Sequence, residues 1–231
     1  MTAPTISLTP MELPQATGSA MAAAPENQCS SSSGALAGLQ SYRYTTVFSF
    51  TGDANGKAES GSVEVHGAVV GSDRSEMTWK DLDTGEGFGV VRVGNEAWMQ
   101  EGETWSSVPT MVADAMSRAV LAFSPCMSWS GLSQGILGTS VHVGTETING
   151  ITAEHYTTTY SGWSQLWNGK ADDASGDVWI AATGYPVRYR FTAKGTDENG
   201  SKGSILWTMD LTDVNGAVTI EAPQVSGNSG D

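Results

Sequence analysis

The run DVWIAATGYPVRYRFTAKG, residues 177–195, followed by GSILWTMDLTDVNGAVTIEAP, residues 203–223, decides the architecture. Its β-branched and aromatic segments are separated by Gly, Pro, Asp and Asn, a pattern of strands joined by turns in a curved antiparallel sheet. No catalytic motif interrupts it. The bulky apolar residues along these segments belong to a sheet that encloses something, either ordinary core or a greasy ligand.

The same pattern extends upstream. In Ser41–Thr51, Tyr42, Tyr44, Phe48 and Phe50 share one parity and Arg43, Thr45 and Ser49 the other, which predicts a half-buried strand. After the DANGKAESG turn, Gly61–Val70 places Val63, Val65 and Val69 opposite Glu64 and His66. Strands over Arg74–Asp81, Gly87–Val93 and Glu96–Gln100, with Trp105 ahead of a turn, complete a meander in which sequential strands are neighbours. Beyond the middle of the chain, Ser140–Ile148 and Ile151–Ser161 flank Asn149-Gly150, a strong signal for a two-residue hairpin. Strands are then expected over Asp177–Ala181, Pro186–Ala193, Gly203–Thr212 and Ala217–Glu221.

The period changes at Pro109. Val112, Ala115, Met116, Ala119, Val120 and Phe123 recur at three and four residues, an apolar stripe on a helix that Pro125 ends. A second, weaker helical segment is expected over Met127–Leu137, with Trp129, Leu132 and Ile136 inward. Gly162–Trp167 reads as one helical turn. Such helices pack on a sheet either as a movable cover or as the plain way to bury its face.

The chain has 231 residues, 11 basic against 25 acidic side chains and a net charge of −14. That balance repels phosphate backbones and argues against nucleic acid as a partner. No apolar run is long enough to span a membrane as a helix. The start lacks the basic n-region and compact apolar stretch of a signal peptide. Residues 1–38, dominated by Ala, Ser, Thr and Pro, read as a flexible tether, 39–223 as a single domain, and 224–231 as a tail. A tether of this kind commonly follows a lipid-modified cysteine, which would belong to the precursor; Glu-Asn-Gln ahead of Cys29 is too polar for a lipidation signal. Cys29 and Cys126 are even in number in an export-like chain. Their disulfide would close a loop of about 100 residues and add roughly 4 kcal/mol; two unpaired thiols in a reducing compartment are the alternative. With three histidines remote from both cysteines, no structural zinc site is expected.

Asp177-Val-Trp-Ile, Thr183-Gly-Tyr-Pro-Val-Arg188, a Gly-rich turn, Leu206–Asp213 and Val218-Thr-Ile-Glu-Ala-Pro223, in that order, resemble the C-terminal half of the LppX/LprG-type lipoproteins, a branch of the LolA-like family. YRYTTVFSF, GSVEVHG and MTWKDLDTGEGFGVVRVGNEAWMQ are similar to its N-terminal half, so the likeness covers about residues 40–223. The resemblance implies a mainly β (α+β) fold, a strongly curved antiparallel half-barrel of about 10–11 strands with helices over its concave face. It implies an exported, lipid-anchored protein of the cell envelope that holds acyl chains between sheet and helices, for lipid or lipoprotein transport. This chain departs from the family in its many Trp, its two cysteines and shorter helices.

The hydrophobic-pocket candidates are Val112, Met116, Ala119, Val120, Phe123 and Trp129 on the helices. On the sheet they are Tyr44, Phe48, Met77, Trp79, Phe191 and Trp207, with Val65, Val90 and Tyr189 beside them. Each fits core packing as well as pocket lining, and the opposite strand parity would replace the whole sheet set. Eight tryptophans, at 79, 98, 105, 129, 163, 167, 179 and 207, supply aromatic surface for either role. Arg188 and Arg190 share a face and are expected to pair with Glu154 or Asp210 across strands. Asp172 and Asp173 read as a solvated turn rather than a cation site. His66, His142 and His155 have no nucleophile motif near them. The chain is therefore expected to be a monomeric, non-catalytic binder with no cofactor or metal, its partner a hydrophobic ligand or lipid and possibly an envelope protein. The alternative is a cell-surface protein-interaction module with a collapsed core.

Overall fold

The computed structural model describes residues 36, 38–54, 57–119, 124–125, 140–159, 170–196 and 200–225. The strands are β1 (Ser41–Ala54), β2 (Lys57–Val70), β3 (Arg74–Asp81), β4 (Gly87–Val93), β5 (Glu96–Glu101), β6 (Thr104–Val108), β7 (Ser140–Ile148), β8 (Ile151–Thr159), β9 (Lys170–Ala181), β10 (Pro186–Thr196) and β11 (Lys202–Thr212); helix α1 (Thr110–Ala119) lies between β6 and β7. They form one 11-stranded antiparallel sheet in the order β6-β5-β4-β3-β2-β1-β11-β10-β9-β8-β7, which is not closed into a barrel. The fold is mainly β, as the alternation predicts.

Two meanders, β1 to β6 and β7 to β11, are joined by the pairing of the first strand with the last. Tyr44 stands opposite Leu211 and Phe48 opposite Trp207. The β1–β2 pairing continues to Ala54↔Lys57, well into the stretch expected to be a turn. At the other edge, Asn149 and Gly150 both have positive φ, 52° and 79°, which makes the two-residue loop a type I′ turn between Ile148 and Ile151.

The sheet curls at this edge. The Asn149 side-chain N–H donates to the Leu211 carbonyl (2.8 Å) and to Asp210 Oδ1 (2.9 Å). β8 and β11 are separated in the sheet by β9 and β10, so in a flat sheet their ends would stand about 14 Å apart. Only curvature brings the turn and β11 within one side chain.

Three expectations are corrected. Ala217–Glu221 is not a strand; after β11 the chain crosses the outer face, where Val218 and Ile220 pack on Ala68, Val91 and Trp98 and Arg74 donates to the Ile220 carbonyl. β2 and β4 below it already have neighbours on both sides, so this segment attaches through side chains instead of a ladder. Asp172 and Asp173 are part of β9 and not a turn, Asp173 lying opposite Lys194, an opposite-charge cross-strand pair. The buried side of α1 is formed by Ala113 and Met116, whereas Val112 is 37% exposed and Ala115 is exposed too. The stripe is thus rotated from its expected phase, because Ala113 rather than Val112 fits against Val90 and Ala97.

The segment Met127–Leu137, the turn at Gly162–Trp167 and both cysteines lie outside the described residues. The Cys29–Cys126 disulfide finds no support, and there is no disulfide among the described residues.

Candidate functional site

Cross-strand register assigns every sheet residue to one of two faces. Tyr44 opposes Gly67 and Leu211; Phe48 opposes Val63 and Trp207; Trp207 opposes Phe191; Met209 opposes Tyr189, which opposes Val178. On the other wing Val65 opposes Trp79 and Gly67 opposes Met77, which in turn face Phe88 and Val90. Opposed residues share a side of the pleat. Tyr44, Phe48, Met77, Trp79, Phe191 and Trp207 therefore stand on one apolar face, with Val65, Val90 and Tyr189 among them.

The helix marks this as the covered face. Ala113 and Met116 of α1 pack with Val90, Ala97, Met77, Phe88 and Val108. The ion pair Arg92–Asp114, 3.8 Å, ties the helix to β4 from the same side. Of the helical candidates, Met116 meets the sheet and Val112 lies off the seam. The Ala119 side chain, Val120, Phe123 and Trp129 fall outside the described residues.

Burial along the face is graded. Val65, Val187, Tyr189, Phe191, Met209 and Leu211 are inaccessible to solvent or nearly so. Phe48, Ile205 and Trp207 are only partly buried, and Phe50 at the end of the row is 37% exposed. Phe48 and Tyr189 meet Trp207 edge-on at centroid distances of 6.1 and 6.0 Å, while Trp79 stacks on Phe88 at 5.8 Å. Small residues alternate with the rings: Gly61 opposes Phe50, Ala193 opposes Ile205 and Gly176 opposes Phe191. A methyl at Gly61 would overlap the Phe50 ring. The result is an apolar track of rings and gaps, sealed at the Leu211 end and open at the Phe50 end, suited to hydrocarbon.

Met209 and Leu211 belong to this face but were not singled out from the sequence, although they share the parity of Trp207. Ala113 carried no signal, since only packing sets the phase of a short helix.

The opposite face is polar. Arg188 donates from Nε to Asp210 Oδ1 at 2.7 Å, the cross-strand pairing expected of it. Glu154, whose register with Ile180 puts it on the other side of the sheet, is instead bound by His142 (2.5 Å) and Thr145 (2.9 Å), and these hydrogen bonds hold its carboxyl below the ordinary value. His66 bridges Thr45 and Glu64. Trp98, Trp105 and Trp179 also stand on this side, by their register with Val91, Gln100 and Arg188. A cleft of about 350 Å³ opens near the Phe50 end, where Ser49, Thr51, Arg190 and Lys194 border a mainly apolar lining that includes Phe50, Ile205 and Leu206. No group of three or more His, Cys, Asp or Glu side chains that could hold a metal occurs among the described residues. None of the described helices is long and apolar enough to cross a membrane.

No protein-family model and no curated protein matches the chain. Solved structures do. This chain is similar to the lipoprotein LppX of Mycobacterium tuberculosis, at 20% identity and a TM-score of 0.40 over 85% of this chain and 96% of that one. It is also similar to a putative outer membrane lipoprotein-sorting protein domain from Vibrio parahaemolyticus (10% identity, TM-score 0.25, 77% and 87% covered). A LolA superfamily protein from Nitrosomonas europaea matches at 9% identity and a TM-score of 0.28, with 79% and 88% covered. The names LppX and LolA are those to which the residues in the C-terminal strands already bear a resemblance.

Proposed function

We propose that this protein binds the acyl chains of a lipid on the apolar face of its sheet, under a helical cover, and carries them within a cell envelope. The observation that supports this is the graded face itself: a single-parity row of rings and gaps continues from sealed core out to the partly exposed Phe48, Phe50, Ile205 and Trp207. An apolar groove with few polar groups is the usual form of a small-ligand site. Each methylene taken from water onto such a surface contributes about 0.8 kcal/mol, so roughly eight would supply about 6 kcal/mol before the ordering of the chain is subtracted.

In this reading residues 1–38 are the tether of an exported, lipid-anchored monomer, no step is catalytic, and release follows displacement of the cover. The test is native mass spectrometry of protein purified without detergent, followed by organic extraction. A discrete adduct in the lipid mass range, absent after denaturation, is the expected result. A clean apoprotein that also takes up neither fluorescent fatty acid nor phospholipid would overturn it and leave a protein-interaction module with a collapsed core.

A further inference from the structure

β7 is the edge strand of the sheet, with β8 as its only neighbour among the described residues, and their ladder is broken by a register shift between His142 and Gly144. A cluster of contacts that ties it further inward centres on His155 of β8. The Nδ1 of that ring lies 2.8 Å from Glu146 Oε1 on β7, and Nε2 lies 3.1 Å from Asp177 Oδ1 on β9. The ring stacks on Trp179 at 4.3 Å and 14°, and the Trp179 indole N–H donates to the second oxygen of Glu146 at 3.0 Å. With its side chain 13% exposed, His155 has little water to replace a lost partner.

Ionised carboxylates only accept hydrogen bonds, so an imidazole lying between two of them satisfies both only when each nitrogen bears a proton. A neutral ring has one N–H and turns a lone pair toward the other carboxylate. We propose that His155 is a proton-set clasp, joining the edge hairpin β7–β8 to β9 while it carries both protons and loosening that hairpin when one is lost.

Among the described side chains, five charged groups surround it. Glu146 and Asp177 face the ring directly. Arg190 is the register neighbour of Asp177 on β10. Arg188 stands 6.0 Å from the Trp179 ring centre and is itself bound to Asp210 of β11. Glu154, the neighbour of His155 on β8, is turned to the other face and bound to His142. Because the favourable arrangement needs the doubly protonated ring, the clasp is closed at lower pH and open at higher pH, the opposite sense to an Asp or Glu contribution.

The test is amide hydrogen exchange on the full chain at about pH 5.5 and about pH 8, corrected for the intrinsic rate of each peptide, with β10–β11 as internal reference. Protection within 140–159 is expected to fall about tenfold relative to that reference, equivalent to roughly 1.4 kcal/mol. In H155Q the difference should vanish; in H142Q it should persist. A wild-type hairpin equally protected at both pH values, or a pH dependence that survives in H155Q, would overturn the clasp. Should H155Q not fold, nitrogen spectra of the wild-type imidazoles decide: two protonated nitrogens on His155 at the lower pH support the proposal, and one refutes it.

Discussion

The ring of Tyr44 lies over Gly67, its register partner on β2, so closely that a Cβ on residue 67 would occupy the position of the ring carbons. The glycine here is required by close approach and not by its backbone angles. It lets an aromatic side chain bend across the neighbouring strand and close the sealed end of the apolar face. Gly67→Ala is expected to displace the ring at a cost of about 1–3 kcal/mol, the range for overpacking a filled site. Urea denaturation checks this, and an unchanged midpoint would mean that the ring moves aside freely.

Ile220 is 1% exposed although it lies in no strand. Its side chain fixes the C-terminal segment across the outer face. Ile220→Ala is expected to destabilise the protein by about 2–4 kcal/mol, as for a core aliphatic residue, with protease sensitivity rising after residue 213. If urea unfolding is unaffected, the segment is an appendage.

Asn149 holds a left-handed conformation and donates to both Asp210 and Leu211. Asn149→Ala loses both hydrogen bonds and strains the turn, and a cost of about 1–2 kcal/mol follows from the typical worth of a hydrogen bond. Asn149→Gly recovers the turn without the donor. The difference in thermal midpoint between the two variants measures what the donor contributes.

Asp81 sits at a turn where one carboxylate oxygen accepts the backbone N–H groups of Asp83 (2.8 Å) and Thr84 (2.9 Å). The Thr84 hydrogen bond is the main cause that lowers its pKa below the ordinary aspartate value. A carboxylate lowered in the folded state stabilises fully above the unfolded value of roughly 4 and loses that contribution as pH falls through the lower folded value. The melting-temperature gap between wild type and Asp81→Asn should therefore be constant from neutrality to about pH 5 and close toward about pH 2. A gap that does not close would remove the carboxylate charge as the cause.

Ile205 lies at the open end of the apolar track, opposite Phe50 and Ala193. Ile205→Asp places a charge where hydrocarbon would run, at a site only partly buried. Fluorescent fatty-acid uptake is expected to weaken by about tenfold or more, since an unpaired charge against a chain is poorly solvated, with the far-UV circular dichroism unchanged. Retained uptake in a folded variant would place the lipid elsewhere.

Strand alternation was legible in the sequence because it is local. Side chains change side at every residue, so Tyr42, Tyr44, Phe48 and Phe50 declare a common face before any partner is known, and Asn149-Gly150 declares its turn by the angles it tolerates. Cross-strand register, not parity alone, puts Tyr44, Phe48, Met77, Trp79, Phe191 and Trp207 on one side. Partner choice is not local. That β1 closes against β11, more than 150 residues away, that Val218 and Ile220 lie across the outer face, and that Ala113 instead of Val112 meets the sheet depend on which surfaces remain unoccupied once the ladders have formed. The chain by itself thus determined most of its strands, the Asn149-Gly150 turn and the two faces of each strand; the tertiary structure alone decided which face a helix covers, where the track stays open and how His155 comes to lie between two carboxylates, because those follow from register between strands remote in sequence.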